Sequence, residues 1–237
     1  MFSTEQLTIP AVPPENAMAG VPEHVLKLLN RLHAESVEQE SKISRDDFNE
    51  RNMAEVMRDK FIALDRDKAQ YVYALCRAIG ARTIVEAGTS YGVSTIYLAL
   101  AAAASAKAAD GGRPARVIAT EHEPAKAARA REHWHECGDA VTNVIDLREG
   151  DLLETLKENL EDVDLLLLDI WTPMALPTLK IVQPKMRHGA VVITDNTVGS
   201  AKSYKDLLEY LRGPGSNFIN LTLPYNQGLE MSIYLPH

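Results

Sequence analysis

Cysteine is almost absent. Cys76 and Cys137 are the only two in 237 residues, too few for a disulfide framework or a cysteine-based zinc site. Both fall in segments that read as helix, so they are expected to be small buried or half-buried thiols. Long apolar runs are missing as well. Nothing approaches the ~18 apolar residues of a membrane span, and the first residues lack the basic start and apolar stretch of a secretion signal. The expected location is cytoplasmic, with no membrane partner. No run of Lys and Arg stands out and the formal charge is −8. An acidic surface repels phosphate backbones, so no nucleic-acid partner is expected. Internal repeats are absent. So are the G-x-G-x-x-G of a dinucleotide fold and the G-K-[ST] of a phosphate loop, which excludes an ordinary pyrophosphate cradle.

What is present is a normal core. Hydrophobic residues make up 46% and charged ones 24%, enough for one α/β domain with a small N-terminal addition. Residues 1–60 read as an arm followed by cap helices, and 61–237 as the cofactor-binding domain. Pro10, Pro13 and Pro14 mark the arm as extended. Pro22-Glu23 opens a helix carrying Val25, Leu28, Leu29 and Leu32 at helical spacing. After a polar stretch over 38–51, residues 52–79 again follow a helical pattern through Phe61, Leu64, Tyr71, Leu75 and Ile79, with Gly80 as its stop.

From Thr83 the texture changes to short apolar runs alternating with helices. Strands are predicted over 83–87, 116–120, 144–148, 164–168 and 190–194. Helices are predicted over 94–109, 124–137, 152–160, 176–186 and 203–212. The continuous leucines of the fourth strand suit a strand covered on both faces. The last two strands, 218–223 and 229–235, are joined by Pro224-Tyr225-Asn226-Gln227-Gly228. That link is too short for a crossover helix, so they form an antiparallel hairpin. The fold class is α/β: a doubly wound, seven-stranded, mostly parallel sheet with a C-terminal antiparallel hairpin, plus N-terminal helices.

Such sheets bind ligands beyond the carboxyl ends of their strands. The first strand runs into Gly88-Thr89-Ser90-Tyr91-Gly92, where Gly88 permits a tight turn and close approach of a ligand to backbone. A glycine pair alone also serves a purely structural turn. The second strand ends at Glu121, able to accept both hydroxyls of a ribose, although a carboxylate before Pro124 also suits a helix N-terminus. Gly150-Asp151 follows the third strand, where a contact to an adenine amine is common and an N-cap aspartate looks the same. Three such features at successive strand ends point to a nucleoside cofactor. The fourth and fifth strands end in Asp169 and in Asp195-Asn196. Two carboxylates and an amide oxygen are hard ligands suited to Mg²⁺ or Ca²⁺, which would bind a catechol-like substrate through adjacent oxygens. The alternative is that they cap the helices that follow.

These residues resemble the catechol O-methyltransferase-like, metal-dependent O-methyltransferases, over about Leu64 to Tyr234. Glu86-Ala87-Gly88-Thr89-Ser90-Tyr91-Gly92-Val93-Ser94 is similar to that family's E-x-G-x-x-x-G-x-S loop. Asp67-Lys68-Ala69-Gln70 is similar to its lead-in helix. The resemblance implies a class I, Rossmann-like fold and an S-adenosylmethionine cofactor held by Leu64, Glu86, Gly88, Thr89, Ser90, Gly92, Ser94, Glu121, Asp151, Asp169 and Trp171. It implies a divalent metal, Mg²⁺ by preference, on Asp169, Asp195 and Asn196, a small phenolic or catechol-like substrate, and a homodimer. Asp169 would also be catalytic.

One position departs from the pattern. Many members carry a lysine three residues after the first metal aspartate as general base, and here that residue is Thr172. Lys202 is the substitute carried forward, with Lys205 and His122 behind it. The acidic residue expected shortly before the final strand is also missing, with Tyr225, Asn226 and Gln227 in that turn. Two other readings stay open. One is a metal-independent S-adenosylmethionine-dependent transfer to nitrogen or another acceptor; the other is a non-catalytic S-adenosylmethionine-binding protein.

Overall fold

The leucine run sets the layering, because its side chains alternate between two apolar faces. In the computed structural model, which describes residues 17–42, 60–109 and 111–236, this run belongs to the fourth of seven strands. In chain order they are β1 (Thr83–Ala87), β2 (Arg116–Glu121), β3 (Ile145–Glu149), β4 (Val163–Leu168), β5 (Met186–Asp195), β6 (Phe218–Leu223) and β7 (Leu229–Tyr234). They form one sheet in the order β3-β2-β1-β4-β5-β7-β6. The pairings from β3 across to β5 are parallel, and β7 runs antiparallel to both β5 and β6.

Leu165 and Leu167 join Ile84, Val117, Val191 and Ile193 on one face. Leu166 and Leu168 join Val85, Ile118 and Val192 on the other. The first face is covered by α1 (Glu23–Glu40), α2 (Arg66–Ala78), α3 (Val93–Ala108) and α4 (Pro124–Cys137), with the short α5 (Asp139–Thr142) beside them. The second is covered by α6 (Leu152–Thr155), α7 (Thr172–Val182) and α8 (Lys205–Arg212). Helix α1 shares its core with the sheet, since Val25, Leu28, Leu29 and Leu32 pack in the same apolar cluster as Ile84. Cys76 and Cys137 are free and buried. Among the described residues no helix is long and apolar enough to cross a membrane.

Three predicted helices shift by more than two residues, each for a physical reason. The pattern over 52–79 yields a helix only from Arg66, and residues 52–59 lie outside the described ones. Residues 60–65 are irregular because their backbone is satisfied elsewhere. The N–H of Phe61 donates to Gln39 Oε1 at 3.1 Å and that of Ala63 to Ser36 Oγ at 2.9 Å. Phe61 still reaches the core, edge-on to Tyr91 with ring centroids 4.6 Å apart. Helix α6 stops at Thr155 instead of continuing to residue 160. The Arg148 guanidinium takes the carbonyls of Thr155, Glu158 and Asn159, and Asn159 has φ +54°. Helix α7 begins at Thr172, four residues before the predicted start, with Pro173 in the first turn, where a missing N–H costs nothing. Residues 1–16 of the arm predicted over 1–20, and most of the polar stretch, lie outside the described residues.

Helix α1 is fastened to α3 by His33 Nε2 and the Tyr97 hydroxyl, 2.9 Å apart in the core. Burial, and then the Arg66 charge, hold this imidazole down to about 4, against 6.5 for an ordinary histidine. Between those values the unfolded chain binds a proton that the folded one rejects, so stability rises with pH there. Acidification from pH 6.5 to about 4 should therefore cost about 3 kcal/mol. Urea unfolding across that range measures it, and His33→Gln should flatten the dependence. An equal slope in both proteins would acquit His33.

Candidate functional site

The strand order reverses between β1 and β4, and their carboxyl ends mark the crevice. Beyond β1, Gly88 has φ +95°, and a Cβ there would lie 2.1 Å from the carbonyl oxygen of Asp169. The Asp169 N–H in turn donates to Ala87 O at 3.1 Å. The loops after β1 and β4 thus meet across a space that only glycine leaves open. Gly92, with φ +78°, lies against the Trp134 indole. Trp134 Nε1 donates to Gly92 O at 2.9 Å, and His133 Nδ1 is 2.9 Å from Tyr91 O. Helix α4 therefore holds the loop by its carbonyls. Sequence reasoning missed His133 and Trp134, whose only signal was their place on the buried side of a helix.

Glu86 lies wholly buried beneath this loop. Its carboxylate accepts from Ser94 Oγ at 2.6 Å and Thr89 Oγ1 at 3.0 Å, and from Thr95 Oγ1. Burial pushes its pKa up, although the three hydroxyls pull the other way. As Ser94 spends its proton on Glu86, its oxygen is left as an acceptor and suits an ammonium. Glu121, also buried, accepts from the N–H of Ser90 at 2.7 Å and of Glu123 at 2.8 Å. It braces the loop whether or not it also meets a ribose. Asp151 is exposed and caps α6, accepting from Leu153 N at 2.9 Å. Leu64, Thr89, Ser90, Ser94 and Asp169 line a small hollow above Gly88.

The acidic rim holds a residue that the sequence reading placed in the lead-in helix without giving it a role there. Lys68, at the start of α2, reaches Asp195 Oδ1 at 2.7 Å, Asp65 Oδ2 at 3.1 Å and Asn196 Oδ1 at 3.4 Å. Burial acts against its charge, but Asp195 and Asp65 outweigh that and raise its pKa, so it stays an ammonium. One cation faces two rim carboxylates, and Asp195 takes it. Asp169 is pushed well above the usual carboxylate range by burial, then by the charges of Asp195 and Glu86. Among the described residues, no three His, Cys, Asp or Glu side chains form a group able to hold a metal. The sequence signal for Lys68 was a lysine three residues after Asp65 at a helix start, which reads equally as a surface pair.

Around the rim, Trp171 precedes α7 and is 43% exposed. The turn between β6 and β7 is fastened to the segment after β5: Val198 N and Gly199 N both donate to Gln227 O at 2.9 Å. Lys202, Lys205 and His122 are exposed. Lys205 pairs along α8 with Glu209, and no hydrogen bond or ion pair among the described residues joins any of the three to Asp169.

Residues 85–197 match the family model described as a methyltransferase domain. A catechol O-methyltransferase of Mycobacterium tuberculosis is 29% identical over 138 residues, 58% of each chain. One of Niastella koreensis is 22% identical over 176 residues, 73% of this chain and 75% of that one. Among solved structures, the O-methyltransferase of Bacillus cereus superposes with a TM-score of 0.67 at 17% identity, covering 92% of this chain and 94% of that one. Residues 85–197 thus carry a methyltransferase domain, and the chain is similar to S-adenosylmethionine-dependent enzymes of the catechol O-methyltransferase-like type. The match to the mycobacterial enzyme spans a little over half of that enzyme's length.

Gly88→Ala tests the meeting of the two loops. A methyl group set against the Asp169 carbonyl at this φ must move backbone, which costs about 1–3 kcal/mol. The variant should melt several degrees lower than the parent, and an unchanged melting temperature would show that the loops yield freely.

Proposed function

We propose that the chain transfers a methyl group from S-adenosylmethionine to a hydroxyl oxygen of a small, phenolic or catechol-like molecule. The observation that carries the reading is the loop over Glu86. Its Gly88 meets the neighbouring strand end, and Ser94 is prepared to accept from an ammonium. Residues 61–237 would form the cofactor-binding unit. S-adenosylmethionine, when bound, supplies a methyl group on a sulfonium for in-line displacement by the acceptor oxygen. Ser94 would hold the amino end of the donor and Glu121 its ribose, while Trp171 would cover the nucleoside. The surplus of carboxylate at Glu86, Asp169 and Asp195 favours a positively charged donor. The names of the two curated relatives support oxygen as the acceptor atom.

A divalent ion on Asp169, Asp195 and Asn196 does not fit the site as Lys68 fills it. The ammonium already engages oxygens of two of the three residues. Two positive centres at ~4 Å repel by about 4 kcal/mol per unit product of charge at an effective dielectric constant of ~20, and a divalent ion doubles that. The chain's own contribution is position and field: the loop fixes the donor, and Asp169 and Asn196 face the acceptor side.

Calorimetry with S-adenosylhomocysteine, followed by turnover with paired hydroxyl and amine acceptors, tests this reading. Binding is expected, with methylation of the hydroxyl acceptors. Ser94→Ala should weaken binding by about tenfold to a hundredfold, the worth of a hydrogen bond to a charged group. Absence of binding would sink the cofactor reading, and methylation of amines alone would sink the choice of oxygen.

A further inference from the structure

The side chain of Lys68 is 1% exposed, in the middle of the rim where the acceptor oxygen must arrive. An ammonium has three donors and no acceptor, and the three protein oxygens within reach, on Asp195, Asp65 and Asn196, match that number. None is left for a substrate, so any effect on the reaction passes through the groups that it holds. A lysine serving only to join α2 to β5 needs one carboxylate. This one spans Asp195 and the adjacent amide, two of the three oxygen-bearing residues an ion between β4 and β5 would require. The third, Asp169, keeps a carboxylate that no hydrogen bond among the described residues satisfies. The arrangement is a cation site with its cation supplied by the chain.

We propose that Lys68 is the resident cation of this rim, a positioning residue that holds Asp195 and Asn196, occupies the place of a divalent ion, and leaves methyl transfer independent of added metal. The last clause rests on the methyltransferase reading; the exclusion of the ion does not. Removing the ammonium should uncover a site made of Asp169, Asp195 and Asn196, hard oxygen donors suited to Mn²⁺ or Mg²⁺. A lysine with a merely structural role would not have this effect, since its loss would lower stability without creating affinity for metal.

The test is a Mn²⁺ titration of the full chain, read by the electron paramagnetic resonance signal of the free ion. The parent protein should bind no stoichiometric Mn²⁺ at millimolar metal. Lys68→Met should bind one ion at least about tenfold more tightly, and Asp195→Asn in the same background should lose it. Circular dichroism checks folding, and Lys68→Gln replaces the methionine variant if that one does not fold. Stoichiometric binding by the parent overturns the proposal, as does a folded variant with no gain; should neither variant fold, the parent titration decides. Turnover of the parent should be unchanged by a chelator, and its loss would also overturn the proposal. Calorimetry with S-adenosylhomocysteine on the same samples keeps the two questions apart. Failure there removes the cofactor reading and leaves the Mn²⁺ result to judge Lys68.

Discussion

The buried carboxylate of Glu86 is the constraint on which the site is built. No water reaches it, so its oxygens must be answered by protein donors or it becomes costly to bury. The donors are Thr89, at the start of the turn, and Ser94 and Thr95, in the first turn of α3. One side chain therefore clamps both ends of the Gly88–Gly92 loop, and the two glycines take up the backbone bend between them. The Thr120 hydroxyl donates to the Glu86 carbonyl at 2.9 Å, so β2 shares the same support. Glu121 then fixes the middle of the loop through Ser90. A loop tied at both ends and at its centre presents its backbone to a ligand at little further entropic cost.

The strand ends were legible because each feature was local. The continuous leucines of β4 could be read as a strand buried on both faces, and its alternating side chains do divide between the two cores. The hairpin of β6 and β7 followed from a link too short for a helix. The helices were less legible where distant groups compete for backbone. Residues 60–65 have helical spacing, yet Gln39 and Ser36 of α1 claim their N–H groups. Arg148 likewise takes the carbonyl of Thr155, which α6 would need to continue, and holds those of Glu158 and Asn159 beyond it. Gln39 and Ser36 lie more than twenty residues from the groups they take, and Arg148 acts from the preceding strand, so no helical periodicity records the competition.

Lys68 was hidden for the same reason. In sequence it is one lysine among the polar residues that open a helix, 127 positions from Asp195. Only the fold carries the start of α2 to the end of β5 and turns an apparent surface charge inward. The acidic residues of the rim showed themselves because they end consecutive strands, a position that sheet topology makes predictable. Their counter-charge arrives from outside the alternating β/α units, so the sequence displayed the anions of the site without its cation. A metal was the natural way to supply the missing positive charge.

Charge balance at the rim then bears on what the proposed site can tell apart. Glu86 and Asp195 both act on Asp169, and Glu121 acts on Glu86, while Lys68 answers Asp195 and Asp65. The carboxylates outnumber the ammonium, so the field above Gly88 favours positive charge. Loss of the methyl group removes the sulfonium charge and leaves the rest of the ligand almost unchanged. Contacts to the amino end and ribose are common to donor and product, and so cannot distinguish them. The electrostatic surplus can, because its interaction differs between the two charge states, and only differential interaction shifts an equilibrium. A second fixed cation at the rim would diminish that difference. Lys68 spends its three donors on Asp195, Asp65 and Asn196 and reaches Asp169 through its charge alone, which burial and the charges of Asp195 and Glu86 outweigh there.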